Sequence, residues 1–142
     1  MWRLRLAGVG LACALSAGAG LGAACASAPA TADAASVKNG IWGAEGVSLT
    51  VTSDGGAIEY DCGHGTIDKV MALDGAGKFD VTGAHFSEGG PTRQGDSGAP
   101  ARYRGTVTGD RLSLTVTVTS SDTTLGQFTL TFGQQAVLTK CK

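Results

Sequence analysis

The sequence predicts an all-β fold: a small antiparallel meander barrel of eight or nine short strands, or a tight β-sandwich, closed by one disulfide. Three observations support this fold class. Apolar and polar residues alternate with a period of two in several runs, such as Val47-Ser48-Leu49-Thr50-Val51 and residues 111–120. Turn sequences rich in Gly, Asp and Ser separate these runs. Two cysteines, Cys62 and Cys141, are placed to pair within the domain.

The alternating runs define the strands in chain order. Each run has one apolar face and one face rich in Thr and Ser, which is typical of antiparallel strands with one side on a core and the other in water. Closure into a barrel would remove the free edges that otherwise pair with neighbouring molecules. The predicted strands are 40–44, 46–53, 57–62, 65–73, 77–83, 101–108, 111–120, 125–133 and 135–141.

Residues 1–28 have the features of a secretory signal peptide. Arg3 and Arg5 precede an apolar stretch that is rich in Ala and diluted by Gly, which is less typical of a transmembrane anchor. Cleavage is expected either after Ala32, which ends a small-x-small site, or before Cys25. The sequence Leu21-Gly22-Ala23-Ala24-Cys25 resembles a lipobox, and Cys25 would then carry a lipid. The membrane is therefore expected as a partner only through the signal or this anchor.

The rest of the chain is predicted to be a flexible Ala/Ser/Thr tether over 29–38 and a single β domain over 39–142. We expect the protein in the periplasm, the cell envelope or the extracellular space, where disulfides persist. A bond between Cys62 and Cys141 closes a loop of 79 positions. Chain entropy gives such a loop about 4 kcal/mol of stabilisation. Two buried free thiols are the alternative.

Charge and composition argue against two classes of partner. The chain has 11 Lys and Arg residues against 12 Asp and Glu residues, no basic run and 6% aromatic residues, so nucleic acid is not an expected partner. A structural or catalytic metal needs three or four ligands, and the chain has only 2 His residues. We therefore expect neither a metal nor a cofactor.

Residues 86–100 form a long loop rich in Gly and polar residues. Within it, Gly95-Asp96-Ser97-Gly98-Ala99-Pro100 resembles the nucleophile sequence of chymotrypsin-like serine proteases, in which the Ser attacks a carbonyl group. Those enzymes need a second barrel and an upstream His and Asp, and only His64 and His85 precede Ser97 here. The interpretation we favour is a Gly-rich loop, which is either functional or a tolerated surface insertion.

A second candidate site lies around the first cysteine of the domain. Glu59 and Asp61 share the polar face of one predicted strand, and His64 follows its end. An acid beside a His can perform acid–base chemistry, so a small envelope hydrolase that uses Asp61 and His64 is one hypothesis. The alternative is a strand end with exposed carboxylates and a His in a turn.

Two further patterns resemble known barrel families. Gly40-Ile41-Trp42-Gly43, before the first strong strand, resembles the opening of lipocalins and related calycin barrels. That resemblance implies that Trp42 plugs a closed end and that the open end binds a small apolar ligand. Tyr60-x-Cys62 with a C-terminal Cys141 resembles periplasmic inhibitors of c-type lysozyme. It implies an inhibitory loop built from Ser97, Arg102 and Tyr103.

Over 40–141 the chain most resembles a group of small bacterial exported proteins and lipoproteins that have no assigned activity. The residues that carry this resemblance are Trp42-Gly43, Glu59-Tyr60-Asp61-Cys62, His64-Gly65-Thr66-Ile67, Gly77-x-Phe79-Asp80-Val81, Ala101-Arg102-Tyr103 and Cys141. The predicted function is a non-enzymatic binding protein of the cell envelope, for a small ligand or for a protein partner. The hydrolase and a structural envelope lipoprotein are the alternatives.

Overall fold

The computed structural model describes residues 35–90 and 97–141. These residues form a closed antiparallel barrel in which each strand pairs with the next along the chain and the last pairs with the first. The predicted all-β meander barrel is thus confirmed. Its eight strands are β1 (Gly40–Ala44), β2 (Val47–Val51), β3 (Gly56–Tyr60), β4 (Gly63–Ile67), β5 (Lys78–Ser87), β6 (Ala99–Thr108), β7 (Arg111–Val118) and β8 (Thr123–Phe132).

Alternating side chains point into the barrel, as the period-two pattern predicts. In β2 the buried residues are Val47, Leu49 and Val51, with Ser48 and Thr50 facing outward. In the other strands the inward-facing side chains are also mainly apolar, and many are large. The interior is therefore filled, as in other small eight-stranded barrels. The largest fully buried side chains are Trp42, Tyr103, Leu49, Ile58, Met71, Leu112, Leu114 and Leu130.

One end of the barrel, which we call the closed end, is covered by two short segments. The amide of Val37 donates to the carbonyl of Met71 at 2.9 Å, and both side chains are buried. Trp42 is fully buried and its indole N–H donates to the carbonyl of Lys38 at 3.0 Å. The Trp42 ring also meets the ring of Phe132 edge-on, with centroids 5.1 Å apart. Residues 35–38 of the predicted tether therefore belong to the barrel.

The predicted ninth strand, over 135–141, is wrong. β8 ends at Phe132, and Gly133 then turns the chain with a positive φ of 76°. The chain continues over the outside of β1, where a Cβ on Gly43 would lie 2.2 Å from the carbonyl oxygen of Gln134. Because β1 and β8 already pair with each other, the barrel offers no free edge for this segment. We call residues 133–141 the C-terminal tail.

The tail is tied to the turn that joins β3 to β4. Cys141 forms a disulfide with Cys62, with the Cα atoms 5.0 Å apart, and this confirms the predicted bond. The Asp61 carboxylate accepts a hydrogen bond of 2.7 Å from the amide of Thr139. The Asp61 carbonyl accepts one of 2.9 Å from the amide of Cys141. The tail thus ends at the barrel end opposite the closed end.

No helix among the described residues has the length and apolar character needed to cross a membrane. The predicted signal peptide, both expected cleavage positions and Cys25 lie outside the described residues.

Candidate functional site

The end of the barrel opposite the closed end contains a pocket of about 380 Å³. We call it the mouth pocket. It lies where β1–β2 and β3–β4 turn, next to the start of the connection between β5 and β6. Its walls are Tyr60, Gly63, His85, Ser87, Leu125 and Phe128, and its rim includes Gly46, Asp61 and Cys62.

Strand β5 brings His85 and Ser87 to the pocket. β5 extends to Ser87, four residues past the predicted end of that strand at 83. The alternation that points Phe79 and Val81 into the barrel therefore continues to His85, which is buried. The His85 Nε2 atom lies 3.4 Å from the Ser87 hydroxyl, and the His85 Nδ1 atom has no hydrogen-bond partner.

Strand β3 brings Tyr60 to the pocket beside His85. The two rings meet at 62° with centroids 5.8 Å apart, and the ring of Phe128 lies 5.5 Å from that of Tyr60. Burial raises the pKa of Tyr60, and the neighbouring phenol of Tyr103 raises it further. The interaction between the two hydroxyls, which contributes to this rise in pKa, does not reach the distance and angle of a full hydrogen bond, so by geometry the buried Tyr60 hydroxyl has no partner.

Two glycines on β4 make room for the large side chains of the interior. Gly63 and Gly65 face inward, opposite Ser87 and His85 of β5. A Cβ on Gly65 would lie 2.2 Å from the Tyr103 hydroxyl oxygen, so only glycine leaves space for that phenol. The Tyr103 hydroxyl donates to the carbonyl of Ala84 at 2.8 Å, and burial raises its pKa to about 12.

The mouth pocket is polar at a few points and nearly uncharged. Burial lowers the pKa of His85 below its usual value of about 6.5, and electrostatic interaction with nearby His64 lowers it further, so the imidazole is mainly neutral at pH 7. Of the described residues that line the pocket, only Asp61 is formally charged, and its carboxylate is held by the amide of Thr139. The pocket therefore suits an uncharged molecule.

A group of charged residues lies outside the barrel, beside the mouth pocket. The His64 Nδ1 atom lies 2.8 Å from a Glu88 carboxylate oxygen, and its ring stacks on Phe86 with centroids 4.8 Å apart. The ammonium of Lys140 bridges Glu59 at 2.7 Å and Glu88 at 3.0 Å. The bonds from His64 and then Lys140 lower the pKa of Glu88. These partially exposed pairs fasten the C-terminal tail to β3 and to the end of β5.

The structure separates the residues that the sequence singled out. His64 pairs with Glu88 on the outer surface, whereas the carboxylate of Asp61 holds the tail, so the two candidate acid–base groups have different partners. Trp42 lies in the core near the closed end. Asp61 and Cys62 lie on the rim of the mouth pocket.

The residues expected to form an inhibitory loop also lie apart. Tyr103 is fully buried in the core. Arg102 faces outward on β6 and forms two hydrogen bonds with Asp80, at 2.7 and 2.5 Å. Ser97 is exposed just before β6, and residues 91–96 of the same loop lie outside the described range.

The arrangement at the mouth is better suited to binding than to acyl transfer. Ser87 and His85 are the nearest approach to a nucleophile and a base, but their 3.4 Å separation is long. A catalytic imidazole also needs a partner that fixes its tautomer, and the His85 Nδ1 atom has none. Across residues 35–90 and 97–141, no group of three or more His, Cys, Asp or Glu is arranged to hold a metal ion.

Sequence reasoning did not identify His85, Ser87 and Phe128 as pocket residues. The alternation of buried side chains at Phe79 and Val81 could have identified two of them. If the strand is extended past Gly83, the same alternation points His85 and Ser87 inward. For Phe128 the alternation was recognised, but nothing local indicates that its ring lies against Tyr60.

The chain was compared with models of protein families, with curated proteins and with solved structures, and none of them matches it. The interpretation of the site therefore depends on its own geometry.

Proposed function

We propose that this chain is an exported, non-enzymatic binding protein of the cell envelope that holds a small ligand in its mouth pocket. The observation that carries the proposal is an open pocket with mostly apolar walls at one end of a barrel whose other end is closed. A volume of about 380 Å³ falls within the usual range of small-molecule sites, roughly 300–1,000 Å³.

Export is supported by the N-terminal sequence and by the disulfide. Arg3 and Arg5 followed by an apolar stretch are typical of a signal peptide, and a bond between Cys62 and Cys141 persists in oxidising compartments. The proposal includes the form in which Cys25 carries a lipid and tethers the domain to a membrane.

A small ligand has more support than a protein partner. Binding through Arg102 would compete with its two bonds to Asp80, and Tyr103 is not exposed to a partner. We therefore expect no inhibition of a c-type lysozyme by micromolar protein. Inhibition that is lost on Arg102→Ala would favour the protein partner instead.

The hydrolase hypothesis has weaker support from the geometry. A pair made of Asp61 and His64 would require each residue to leave its present partner, Thr139 and Glu88 respectively. His64→Ala is expected to leave the occupancy of the mouth pocket unchanged, because His64 is not part of its lining.

Native mass spectrometry of the protein, purified gently from a bacterial envelope, tests the proposal. The wild type is expected to carry additional non-covalent mass. Ser87→Phe, which fills the pocket, should lose that mass, while the control Ser113→Phe, on the exposed face of β7, should keep it. The same spectrum reports the cleavage site, any lipid on Cys25 and the two hydrogens lost in the disulfide. A wild-type protein that is always bare, or an adduct that survives Ser87→Phe, contradicts the proposal.

A further inference from the structure

The inner wall of the mouth pocket carries two polar atoms that have no partner. Tyr60 and His85 are each 8% exposed, so both are more than nine-tenths buried. The Tyr60 hydroxyl and the His85 Nδ1 atom form no hydrogen bond, and both residues line the pocket. Unpaired buried polar atoms are rare and costly in native proteins. Because both residues line the same pocket, a molecule bound there would supply the missing partners.

The rings around these atoms indicate the shape of that molecule. The Phe128 ring packs against Tyr60 at a tilt of 36°, and Leu125 is 39% exposed. Both unpaired atoms lie beneath the pocket surface, so a ligand reaches them by displacing the Phe128 or Leu125 side chain. Aromatic rings favour tilted or edge-on packing with other rings, so a ligand ring is a suitable replacement for the ring of Phe128.

Charge further restricts the ligand. The neutral His85 imidazole offers no cation for an anionic group, and the Asp61 carboxylate on the rim repels one. A cationic group would lose its hydration on the apolar inner wall, where its counter-charge Asp61 is already held by Thr139. A neutral polar group avoids both costs.

The hydrogen-bonding capacity of the two atoms matches that of a hydroxyl group. A neutral imidazole has one donor and one acceptor nitrogen, and Ser87 beside the Nε2 atom fits either tautomer. The Nδ1 atom is therefore a donor in one tautomer and an acceptor in the other. A hydroxyl both donates and accepts, so it can pair with this nitrogen in either tautomer and also with the phenolic hydroxyl of Tyr60.

We propose that the ligand of the mouth pocket is a neutral, phenol-like ring compound. Its ring takes the place of the Phe128 ring against Tyr60, and its hydroxyl bonds to the Tyr60 hydroxyl and to the His85 Nδ1 atom. This inference rests on the proposed function, because it names the class of ligand for the same pocket.

Calorimetric titration of the mature protein with four small ring compounds tests this assignment. The probes are p-cresol, toluene, 4-methylbenzoate and 4-methylbenzylamine, which share a methyl-substituted ring and differ in the second group. p-Cresol is expected to bind about 10-fold more tightly than the other three, the combined value of two net hydrogen bonds in the lower half of their range. Tyr60→Phe should reduce its advantage over toluene to about 3-fold, the size expected when one of two equal bonds is lost.

The matched control is Tyr103→Phe, because the Tyr103 hydroxyl is bonded to Ala84 and is not part of the pocket lining. This variant should keep the preference for p-cresol. Toluene binding as tightly as p-cresol to the wild type, or an undiminished preference in Tyr60→Phe, would overturn the hydroxyl assignment. If 4-methylbenzoate or 4-methylbenzylamine binds more tightly than the other probes, the proposal of a neutral ligand is wrong.

The failure of this inference differs from failure of the proposed function. If no ring compound binds but the protein from the envelope carries a non-covalent adduct, the ligand class is wrong and the binding function stands. If no ring compound binds and the protein is bare, both are wrong.

Discussion

Gly65 on β4 faces the barrel interior and leaves space for the phenol of Tyr103. We expect Gly65→Ala to destabilise the fold, because the new Cβ would lie 2.2 Å from the Tyr103 oxygen and 2.8 Å from the Ala84 carbonyl. Overpacking of this kind costs about 1–3 kcal/mol in the free energy of unfolding, measured by urea titration. The control Gly75→Ala, where a Cβ meets nothing within 4 Å, should change it by less than about 0.5 kcal/mol. Equal effects of the two substitutions would be inconsistent with this packing.

The two buried phenols should respond differently to loss of the hydroxyl. Tyr60→Phe removes an unpaired group, so the free energy of unfolding without ligand should stay constant or rise by up to about 1 kcal/mol. Tyr103→Phe removes the donor to Ala84 and should lower it by about 1 kcal/mol. Urea unfolding of both variants measures the contrast. A loss at Tyr60 as large as that at Tyr103 would mean that the Tyr60 hydroxyl has a structural partner.

Burial of His85 should make stability depend on pH. Its pKa is lowered in the folded state, first by desolvation and then by His64, whereas an unfolded His titrates near about 6.5. The unfolded state therefore binds more protons below that pH. The contribution of neutral His85 is complete above about 6.5 and is lost as the pH falls towards the folded pKa.

We expect the free energy of unfolding to decrease from about pH 7 to pH 5, and to decrease less in His85→Leu. The window stays above the range in which Asp80 and Glu88, whose pKa values are lowered by Arg102 and His64, lose their contributions. Urea unfolding across the window measures both slopes. Identical slopes would show that His85 is not held neutral by burial.

At the scale of elements, the C-terminal tail depends mainly on its covalent tie. Cys141→Ser opens a loop of 79 positions and is expected to lower the free energy of unfolding by about 4 kcal/mol. Lys140→Ala, which removes partially exposed ion pairs to Glu59 and Glu88, should cost less than about 1 kcal/mol. Thermal or urea unfolding distinguishes the two. A similar small loss in both variants would mean that the disulfide contributes little.

The strands were predictable where alternation is uninterrupted, as in β2 and β7. β5 was predicted too short because Gly83 and Ala84 interrupt the apolar alternation, yet backbone pairing with β4 and β6 continues to His85 and beyond. The tail was misjudged because its apolar residues, Ala136 to Leu138, look like a strand. The pairing of β1 with β8 leaves that segment no edge to join, and such closure is a property of the whole sheet.

At the scale of the whole molecule, the candidate site is less predictable than the fold. Tyr60, His85 and Phe128 lie on three strands and meet only through the register of the closed barrel. The absence of partners for the Tyr60 hydroxyl and the His85 Nδ1 atom depends on all the surrounding side chains. By contrast, the disulfide was predictable, because Cys62 and Cys141 were the two cysteines left in the domain.

The central claim is that the mouth pocket is the binding site. Its most direct test is an amide chemical-shift map of the ¹⁵N-labelled protein with p-cresol and, separately, with toluene. Using both probes makes the test independent of the hydroxyl. The account predicts shifts clustered at Tyr60, Gly63 and His85, with Val37 and Met71 at the closed end unchanged. Shifts confined to the outer face of β6 and β7, or no saturable shift with either compound, would contradict it.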